Sequence, residues 1–443
     1  MTETASVVGE HRRLARHSSG VLLANGVAAL AVVGTTILTA RALGPSGRGQ
    51  FSIATLLATV ALTLGSSGLG AALTYHTARG ERSKQVVFGT AVTLGVVLGT
   101  AVVVIGYCVI GIGHVTLNGV PEADLLIGLL IVPGAFVLTG LQSVYLGFQR
   151  FREFNALTIA QSVLPLVFIA IAFALGGGVH AAVAAIAAAP TALAVWFVVR
   201  ASRSMHLSWR LGRAYVRMLF AYGLRVVPAN VLGLLGYRLD VFILDSYRGT
   251  TAVGLYGAGV VIAEGLWMPS QAVSVALFPR IAEESDEATR RAITPRVARN
   301  TFWLTAALGL LFYVLSGPLV RLLYSSAFAA SAGALRALLP GIVAFSAARV
   351  LGNDLAARGR PLTNSVLAAI SVAVNIALNI FLIPRYGIDG AAWASTASYS
   401  VLFAITVAVY CQVARVTLSD LLVPSRADGA AYVRFVRRML DRR

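Results

Sequence analysis

The stretch YGLRVVPANVLGLLGYRLDVFILDSYRGTTAVGLYGAGVVIAE, residues 222–264, combines two long apolar segments with charged side chains. Its ionisable residues Arg225, Arg238, Asp240 and Glu264 lie within these segments or at their edges. A charged side chain at the centre of a bilayer costs about 2.5–3.5 kcal/mol even on the more lenient insertion scale. We therefore expect these four side chains to face protein or water, which makes each of them a candidate functional residue.

The rest of the chain shares this apolar character. Of its 443 residues, 57% are hydrophobic and 12% are charged, and the mean hydropathy is +0.79. Soluble domains average about 25% charged residues, so the composition predicts an all-α integral membrane protein. The net charge of +18 comes almost entirely from arginine. It indicates cytoplasmic loops rich in basic residues, an anionic ligand, or both.

Twelve windows are apolar enough to form transmembrane helices, each of which needs about 20 residues. They are residues 19–40, 51–73, 86–110, 125–146, 157–176, 181–199, 222–244, 252–277, 301–323, 333–357, 364–384 and 390–412. Basic residues concentrate in every second connection and in both termini. This alternation predicts a multi-pass protein with both termini in the cytoplasm.

The two halves of the chain carry matching motifs. GPSGRGQF (Gly44–Phe51) and GTTAVGLY (Gly249–Tyr256) share Gly, four residues, Gly, one residue and an aromatic, 205 positions apart. GGVHAAVAA (Gly177–Ala185) and YGIDGAAWA (Tyr386–Ala394) match at an offset of 209. Because six spans is an even number, two six-span halves start on the same side and form parallel repeats. We expect twelve transmembrane helices in two parallel six-helix lobes around a central cavity.

The sequence also predicts the borders of these parts. They are a basic cytoplasmic tail (1–18), an N-terminal six-helix lobe (19–200), an amphipathic cytoplasmic connection (201–218), a C-terminal six-helix lobe (219–414) and a second basic cytoplasmic tail (415–443).

Four blocks of the chain resemble a known superfamily. They are RALGPSGRGQF (41–51), YLGFQRFREFNAL (145–157), YRLDVFILDSYRGTTAVGLYGAG (237–259) and LIPRYGIDGAAWAS (382–395). They resemble the polysaccharide-export, O-antigen flippase-like branch of the multidrug/oligosaccharidyl-lipid/polysaccharide flippase superfamily. The resemblance implies a MATE-like fold in the cytoplasmic (inner) membrane. It also implies movement of undecaprenyl-diphosphate-linked oligosaccharide from the inner to the outer leaflet, with glycosyltransferases and a polysaccharide polymerase as partners.

Arginines within the spans are candidate ligands for the diphosphate of such a lipid. Arg225, Arg238 and Arg349 lie in the predicted spans seven and ten. Arginine suits phosphate because it stays charged and presents a bidentate fork of N–H donors. We expect Arg225 and Arg349 above all to face the cavity. The alternatives are snorkelling to the interface or pairing with an intramembrane carboxylate such as Asp354 or Asp240.

Oxygen-bearing side chains at similar depth form a candidate cation site. Asp240 lies near the outer end of span seven, Asn375 and Asn379 share one face of span eleven, and Ser395 lies early in span twelve. This set resembles the sodium site of lipid II flippases, in which an acid stands where this chain has Asn379. Na⁺ or H⁺ is the expected coupling ion. The alternative is hydrogen bonding between helices, worth about 0.6 kcal/mol per contact.

Glu264 in span eight is either a proton carrier or the ion-pair partner of Arg225 or Arg238, and we favour the ion pair. No nucleotide-binding GxxxxGK[ST] motif, metal-ligand spacing or catalytic constellation is present in the sequence. Beyond its charge, the chain has no feature that suggests nucleic-acid binding. We therefore expect a transporter rather than an enzyme.

Three other functions are weighed against a flippase. A cation-coupled multidrug antiporter of the same superfamily typically carries an acid in span one, and residues 19–40 have none. A membrane polysaccharide polymerase or ligase needs a long loop outside the membrane, which this sequence lacks. A membrane scaffold that binds without transporting gains nothing from arginines within its spans.

Overall fold

The computed structural model describes residues 2–66, 68–112, 119–204, 209, 211–268, 270–271, 273, 281 and 286–424. Within this part of the chain the regular structure is helical. The α-helices are α1 (Thr2–Gly65), α2 (Leu69–Ala78), α3 (Lys84–Tyr107), α4 (Glu122–Leu129), α5 (Ile131–Gly147), α6 (Phe151–Ala174), α7 (Val179–Ser204), α8 (Arg213–Gly223), α9 (Val227–Gly265), α10 (Glu287–Leu323), α11 (Ser331–Ala357), α12 (Pro361–Ala414) and α13 (Leu418–Leu422). A π-helical turn (Cys108–Ile112) extends α3, and a 3-10 turn (Ser326–Phe328) precedes α11.

Eight helical segments among the described residues are long and apolar enough to cross a membrane. They are Leu23–Gly65, Lys84–Ile112, Glu122–Gly147, Phe151–Ala174, Val179–Arg203, Glu287–Leu323, Ser331–Ala357 and Leu362–Ala414. The all-helical, multi-pass membrane architecture predicted from the sequence is therefore confirmed. Helix α9 carries Arg238, Asp240 and Asp245 and is not among these eight segments. The count of twelve spans stays a prediction.

Three of the long helices are broken at glycines with left-handed backbone angles. Gly44 in α1 has φ 67° and ψ −178°, and Gly249 in α9 has φ 72° and ψ 179°. Gly387 breaks α12 with φ 57°. An L side chain strongly disfavours these conformations, whereas glycine adopts them readily. Gly44 and Gly249 are the first residues of the repeated motif, so the two copies share a backbone conformation as well as a sequence pattern.

The second pair of matching motifs is less regular in conformation. The alignment equates Gly178 with Gly387, but the positive φ on the earlier side belongs to Gly176, at 79°. The two breaks are thus displaced by two residues relative to the sequence match.

The chain falls into two compact units, Met1–Gly254 (unit 1) and Leu255–Arg443 (unit 2). The main core of unit 1 includes Leu73, Phe88 and Leu141, which are each at most 1% exposed. Glycines bring its helices close together: a Cβ on Gly99 would lie 2.6 Å from Pro133 Cα. Small residues allow such close approach between helices in membranes, where apolar burial alone does not drive association.

In unit 2, a partly buried ionic cluster connects α10, α11 and α12. Asp354 accepts hydrogen bonds from Arg358 Nε at 2.9 Å and from Tyr410 Oη at 2.5 Å. Arg358 Nη1 also donates to both carboxylate oxygens of Glu287, at 2.7 and 2.9 Å. Burial opposes the charge of Arg358, but its hydrogen bonds to Glu287 and Asp354 raise its pKa above the ordinary arginine value. The side chains of Asp354 and Arg358 are 0% and 8% exposed.

Candidate functional site

Arg349 lies against aromatic rings inside unit 2. Its guanidinium carbon is 5.2 Å from the centroid of Trp267 and 4.9 Å from that of Phe345. The Tyr399 ring lies 5.0 Å from Phe345 and 6.2 Å from Trp267, centroid to centroid. These four residues form the arginine–aromatic cluster. A guanidinium group that packs on an aromatic ring makes this contact with its flat face. Its N–H groups point outward in the plane of the group, where they can donate hydrogen bonds to an anion.

Three elements bring this cluster together. Trp267 follows the end of α9, Phe345 and Arg349 lie one turn apart on α11, and Tyr399 belongs to the second part of α12. Arg349 is half-buried. Asp354, proposed as an alternative partner of Arg349, accepts hydrogen bonds from Arg358 and Tyr410 instead.

The other two candidate arginines belong to unit 1. Arg225 is exposed and lies in the turn between α8 and α9, so it precedes the helix into which the sequence prediction placed it. Arg238 is half-buried within α9 and has interactions with its surroundings. Glu264 is half-buried near the end of α9, in unit 2, and it too has interactions. The favoured role of Glu264, an ion pair with Arg225 or Arg238, stays a prediction.

The predicted cation ligands of unit 2 lie in one hydrogen-bonded network. Asn379 Nδ2 donates to Asn375 Oδ1 at 2.8 Å, and Asn375 Nδ2 donates to Ser398 Oγ at 3.3 Å. Ser398 Oγ donates to the carbonyl of Ser395 at 2.9 Å, and Tyr256 Oη lies 3.4 Å from Ser395 Oγ. These five residues form the amide–hydroxyl network. The structure thus brings Asn375, Asn379 and Ser395 together, as predicted.

One buried oxygen of this network could accept a further ligand. Asn379 is 0% exposed, and its Oδ1 has no hydrogen-bond partner among the described residues. A buried polar atom without a partner is costly and calls for an explanation such as a water or an ion. The fourth predicted ligand, Asp240, is 7% exposed and accepts a hydrogen bond from Val241 N at 2.9 Å. Asp240 belongs to unit 1, so its part in the site stays a prediction.

The sequence prediction missed several members of these two groups and also Ser371, a neighbour of the network. Ser371 precedes Asn375 by four residues and donates to the carbonyl of Ser398 at 3.0 Å. The spacing of Ser371, Asn375 and Asn379 at every fourth position was a usable signal for one polar helix face. Tyr256 had no such signal, and neither did the aromatic cluster. Their contacts join residues far apart in the chain, between apolar stretches that resemble lipid-facing ones.

The described residues contain no group of three or more His, Cys, Asp or Glu side chains that could hold a metal ion. The amide and hydroxyl oxygens of the amide–hydroxyl network are hard, neutral donors.

Comparison with known families gives two matches. The family described as Polysaccharide biosynthesis protein matches residues 14–284, and MatE matches residues 227–381. A probable low-salt glycan biosynthesis flippase, Agl15 of Haloferax volcanii, is 26% identical over 190 residues, which is 42% of this chain. An uncharacterized membrane protein, MJ1068 of Methanocaldococcus jannaschii, is 25% identical over 195 residues, or 43% of this chain. The matched stretch spans only 40% and 38% of the lengths of these two relatives.

Solved structures share the fold at low sequence identity. The lipid II flippase MurJ, in an inward closed conformation, superposes with a TM-score of 0.72 at 14% identity, covering 90% of this chain and 88% of that one. The Vibrio cholerae MATE transporter VcmN gives 0.62 at 15% identity, covering 95% of this chain and all of that one. The resemblance seen in the four sequence blocks, and the MATE-like fold that it implied, are confirmed.

Proposed function

The chain belongs to the polysaccharide biosynthesis protein family, and on that premise we propose that it is a flippase for a lipid-linked oligosaccharide. The cargo is an undecaprenyl-diphosphate-linked precursor of a cell-surface polysaccharide. It moves from the inner to the outer leaflet of the cytoplasmic membrane by alternating access. Glycosyltransferases supply this cargo and a polysaccharide polymerase consumes it. The observation that carries the proposal is the half-buried Arg349, which lies over the rings of Trp267 and Phe345 in an apolar helix long enough to cross a membrane.

A span count of twelve is part of this proposal. Helices α1, α9 and α12 each contain a glycine break and are 64, 39 and 54 residues long. A single crossing needs about 20 residues, or about 30 Å of helix. Counting each of them as two spans, together with the other six apolar segments, gives twelve crossings in two parallel lobes, with both termini in the cytoplasm.

Arg349 is the proposed ligand of the diphosphate in unit 2. The rings of Trp267 and Phe345 restrict the guanidinium group, so less conformational entropy is lost when phosphate binds. A diphosphate offers several acceptor oxygens, and arginine pairs with such oxygens through two parallel hydrogen bonds. Arg225 and Arg238 in unit 1 are the proposed further basic contacts along the path of the cargo.

The amide–hydroxyl network is the proposed site of a coupling cation. The proposal is supported by the buried Asn379 Oδ1, which could coordinate a cation. The same network contains the hydroxyl oxygens of Ser395 and Tyr256. Na⁺ fits oxygen ligands of this kind. Asp240 would supply the negative charge that neutral ligands lack, and H⁺ is the alternative coupling ion, with Glu264 as its candidate carrier.

Depletion of the protein in its host tests the function. We expect lipid-linked oligosaccharide to accumulate on the inner leaflet while polysaccharide at the surface declines. A plasmid copy with Arg349→Gln should fail to restore display. A copy with Arg385→Gln should restore it, because Arg385 is exposed and donates to the backbone of its own helix. Unchanged display after depletion, in a strain without a second flippase, would reject the proposal.

The MatE match to residues 227–381 favours one second candidate, a cation-coupled multidrug antiporter. That function predicts increased sensitivity to cationic drugs on depletion, with lipid-linked intermediates at their normal level.

A further inference from the structure

The two copies of the repeated motif touch each other in a reciprocal way. A Cβ built on Gly49 would lie 1.8 Å from the carbonyl oxygen of Thr250, and a Cβ on Gly254 would lie 1.9 Å from that of Pro45. Thr250 and Pro45 are the second residues of their motifs, and Gly254 and Gly49 are the sixth. All four residues belong to unit 1. The contact therefore has the two-fold symmetry that a duplicated sequence would produce.

The atoms nearest to each of the two Cβ positions belong to the main chain. The same Cβ on Gly254 would lie 3.0 Å from Gly49 N. Contacts between carbon and a carbonyl oxygen in proteins normally begin near about 3.3 Å. Replacing either glycine by alanine therefore requires the two segments to separate by about 1.5 Å. Backbone on both sides leaves no flexible side chain that could move away instead.

A third segment covers the contact. Gln50 Nε2 donates to the carbonyl of Gly119 at 2.8 Å, and a Cβ on Gly119 would lie 4.0 Å from Thr250 Cβ. Gly119 thus touches both copies of the motif: it bonds to the residue after Gly49, and it packs on the residue whose carbonyl meets Gly49. Thr250 is only 8% exposed.

A joint precedes the contact in each copy. Gly44 and Gly249, the two glycines with left-handed angles, lie five residues before Gly49 and Gly254. Positions of this kind, at the ends of helical segments, absorb the backbone rotations of hinge motions. A joint beside a contact between two main chains allows the segments to part by backbone rotation.

We propose that Gly49 and Gly254, with the carbonyls of Thr250 and Pro45, form a latch that closes one side of the transporter and opens once in every cycle. The proposal rests on the transport function proposed above. By the predicted topology, the latch lies at the outer end of the spans, where the cargo leaves.

A disulfide can lock this latch. Gly119→Cys with Thr250→Cys places the two Cβ atoms about 4 Å apart, within the range of disulfides. Because Gly119 has φ 73°, the single Gly119→Cys variant also measures the effect of backbone strain at this position. The background carries Cys108→Ser and Cys411→Ser, which remove both native thiols. We expect the oxidised double variant to lose transport and to recover it on reduction, while each single-cysteine variant transports under both conditions. Transport at the normal rate by fully cross-linked protein would show a fixed contact and overturn the proposal.

A second measurement does not depend on the cargo. In the same background, the thiol of Thr250→Cys is alkylated with a membrane-impermeant maleimide. Adding Gly254→Ala should accelerate alkylation about tenfold, the change that corresponds to about 1.4 kcal/mol in the balance of closed and open forms. Gly257→Ala is the matched control, since nothing lies within 4 Å of its Cβ. Equal rates in the two variants would refute the latch even if the cargo were something other than a lipid-linked glycan.

Discussion

Asp354 and Glu287 bind the same arginine, yet their removal should have very different effects on stability. The side chain of Asp354 is 0% exposed and that of Glu287 is 42% exposed, whereas Arg358 between them is 8% exposed. We compare Asp354→Asn with Glu287→Gln, because each change removes one charge and nearly preserves the shape of the side chain.

The expected magnitudes follow from the geometry. At 2.9 Å, and with an effective dielectric constant of about 20, the attraction between Arg358 and Asp354 is about 6 kcal/mol before desolvation. Removing one partner of a buried pair typically costs about 3–5 kcal/mol. Solvent screens the pair with Glu287, which should contribute at most about 1 kcal/mol. Asp354→Asn also weakens the hydrogen bond from Tyr410, which adds to its cost.

Unfolding of the purified protein in lipid nanodiscs, followed by tryptophan fluorescence, measures the difference. We expect Asp354→Asn to unfold at a clearly lower temperature and Glu287→Gln to remain close to the original protein. Tyr410→Phe should fall between them, because a hydrogen bond to a charged group is worth about 1.5–3 kcal/mol. Equal destabilisation by Asp354→Asn and Glu287→Gln would refute the assignment of stability to burial.

Arg349→Lys keeps the charge but loses the planar fork and much of the stacking, so transport should fall by about tenfold or more at unchanged protein levels, measured as outer-leaflet glycan. Asn379→Leu should abolish any dependence of transport on Na⁺, measured in proteoliposomes with and without a sodium gradient, and an unchanged dependence would exclude the amide–hydroxyl network as the ion site. Asp286 caps α10, and hydrogen bonds from the side chain and backbone of Thr289 and from Ala288 N hold its pKa below the ordinary value. The cap is therefore fully formed above about pH 4 and is lost as pH falls through the lower folded-state pKa. Hydrogen exchange in the first turn of α10 should accelerate over that range, and Asp286→Ala should remove the pH dependence.

The sequence alone was sufficient to predict the periodic and repeated features of this protein. The apolar segments predicted a multi-pass helical protein, and the Gly44 and Gly249 motifs predicted a duplication that the backbone angles match. Both signals are local: a span is a continuous run of residues, and a left-handed turn needs glycine at one position. Asn375 and Asn379 were found for the same reason, since their spacing fixes a shared helix face.

Contacts between segments far apart in the chain could not be predicted from the sequence. The stacking of Arg349 on Trp267 joins residues 82 positions apart, and no spacing rule connects them. The same holds for Tyr256 and Ser395, and for the latch, where a glycine meets a carbonyl in another helix. A membrane-embedded chain makes this harder, because apolar residues that face lipid and those that pack between helices have the same composition.

Flipping by purified protein tests the central claim most directly. The protein is reconstituted into liposomes with a fluorescent undecaprenyl-diphosphate-linked oligosaccharide, and an added glycosidase trims only molecules on the outer surface. Without transport, trimming should stop near half of the lipid. We predict that the protein makes nearly all of the lipid accessible, and that vesicles with Arg349→Gln stop at the level of empty ones. Trimming that stops at the same level with and without the protein would contradict its assignment as a flippase.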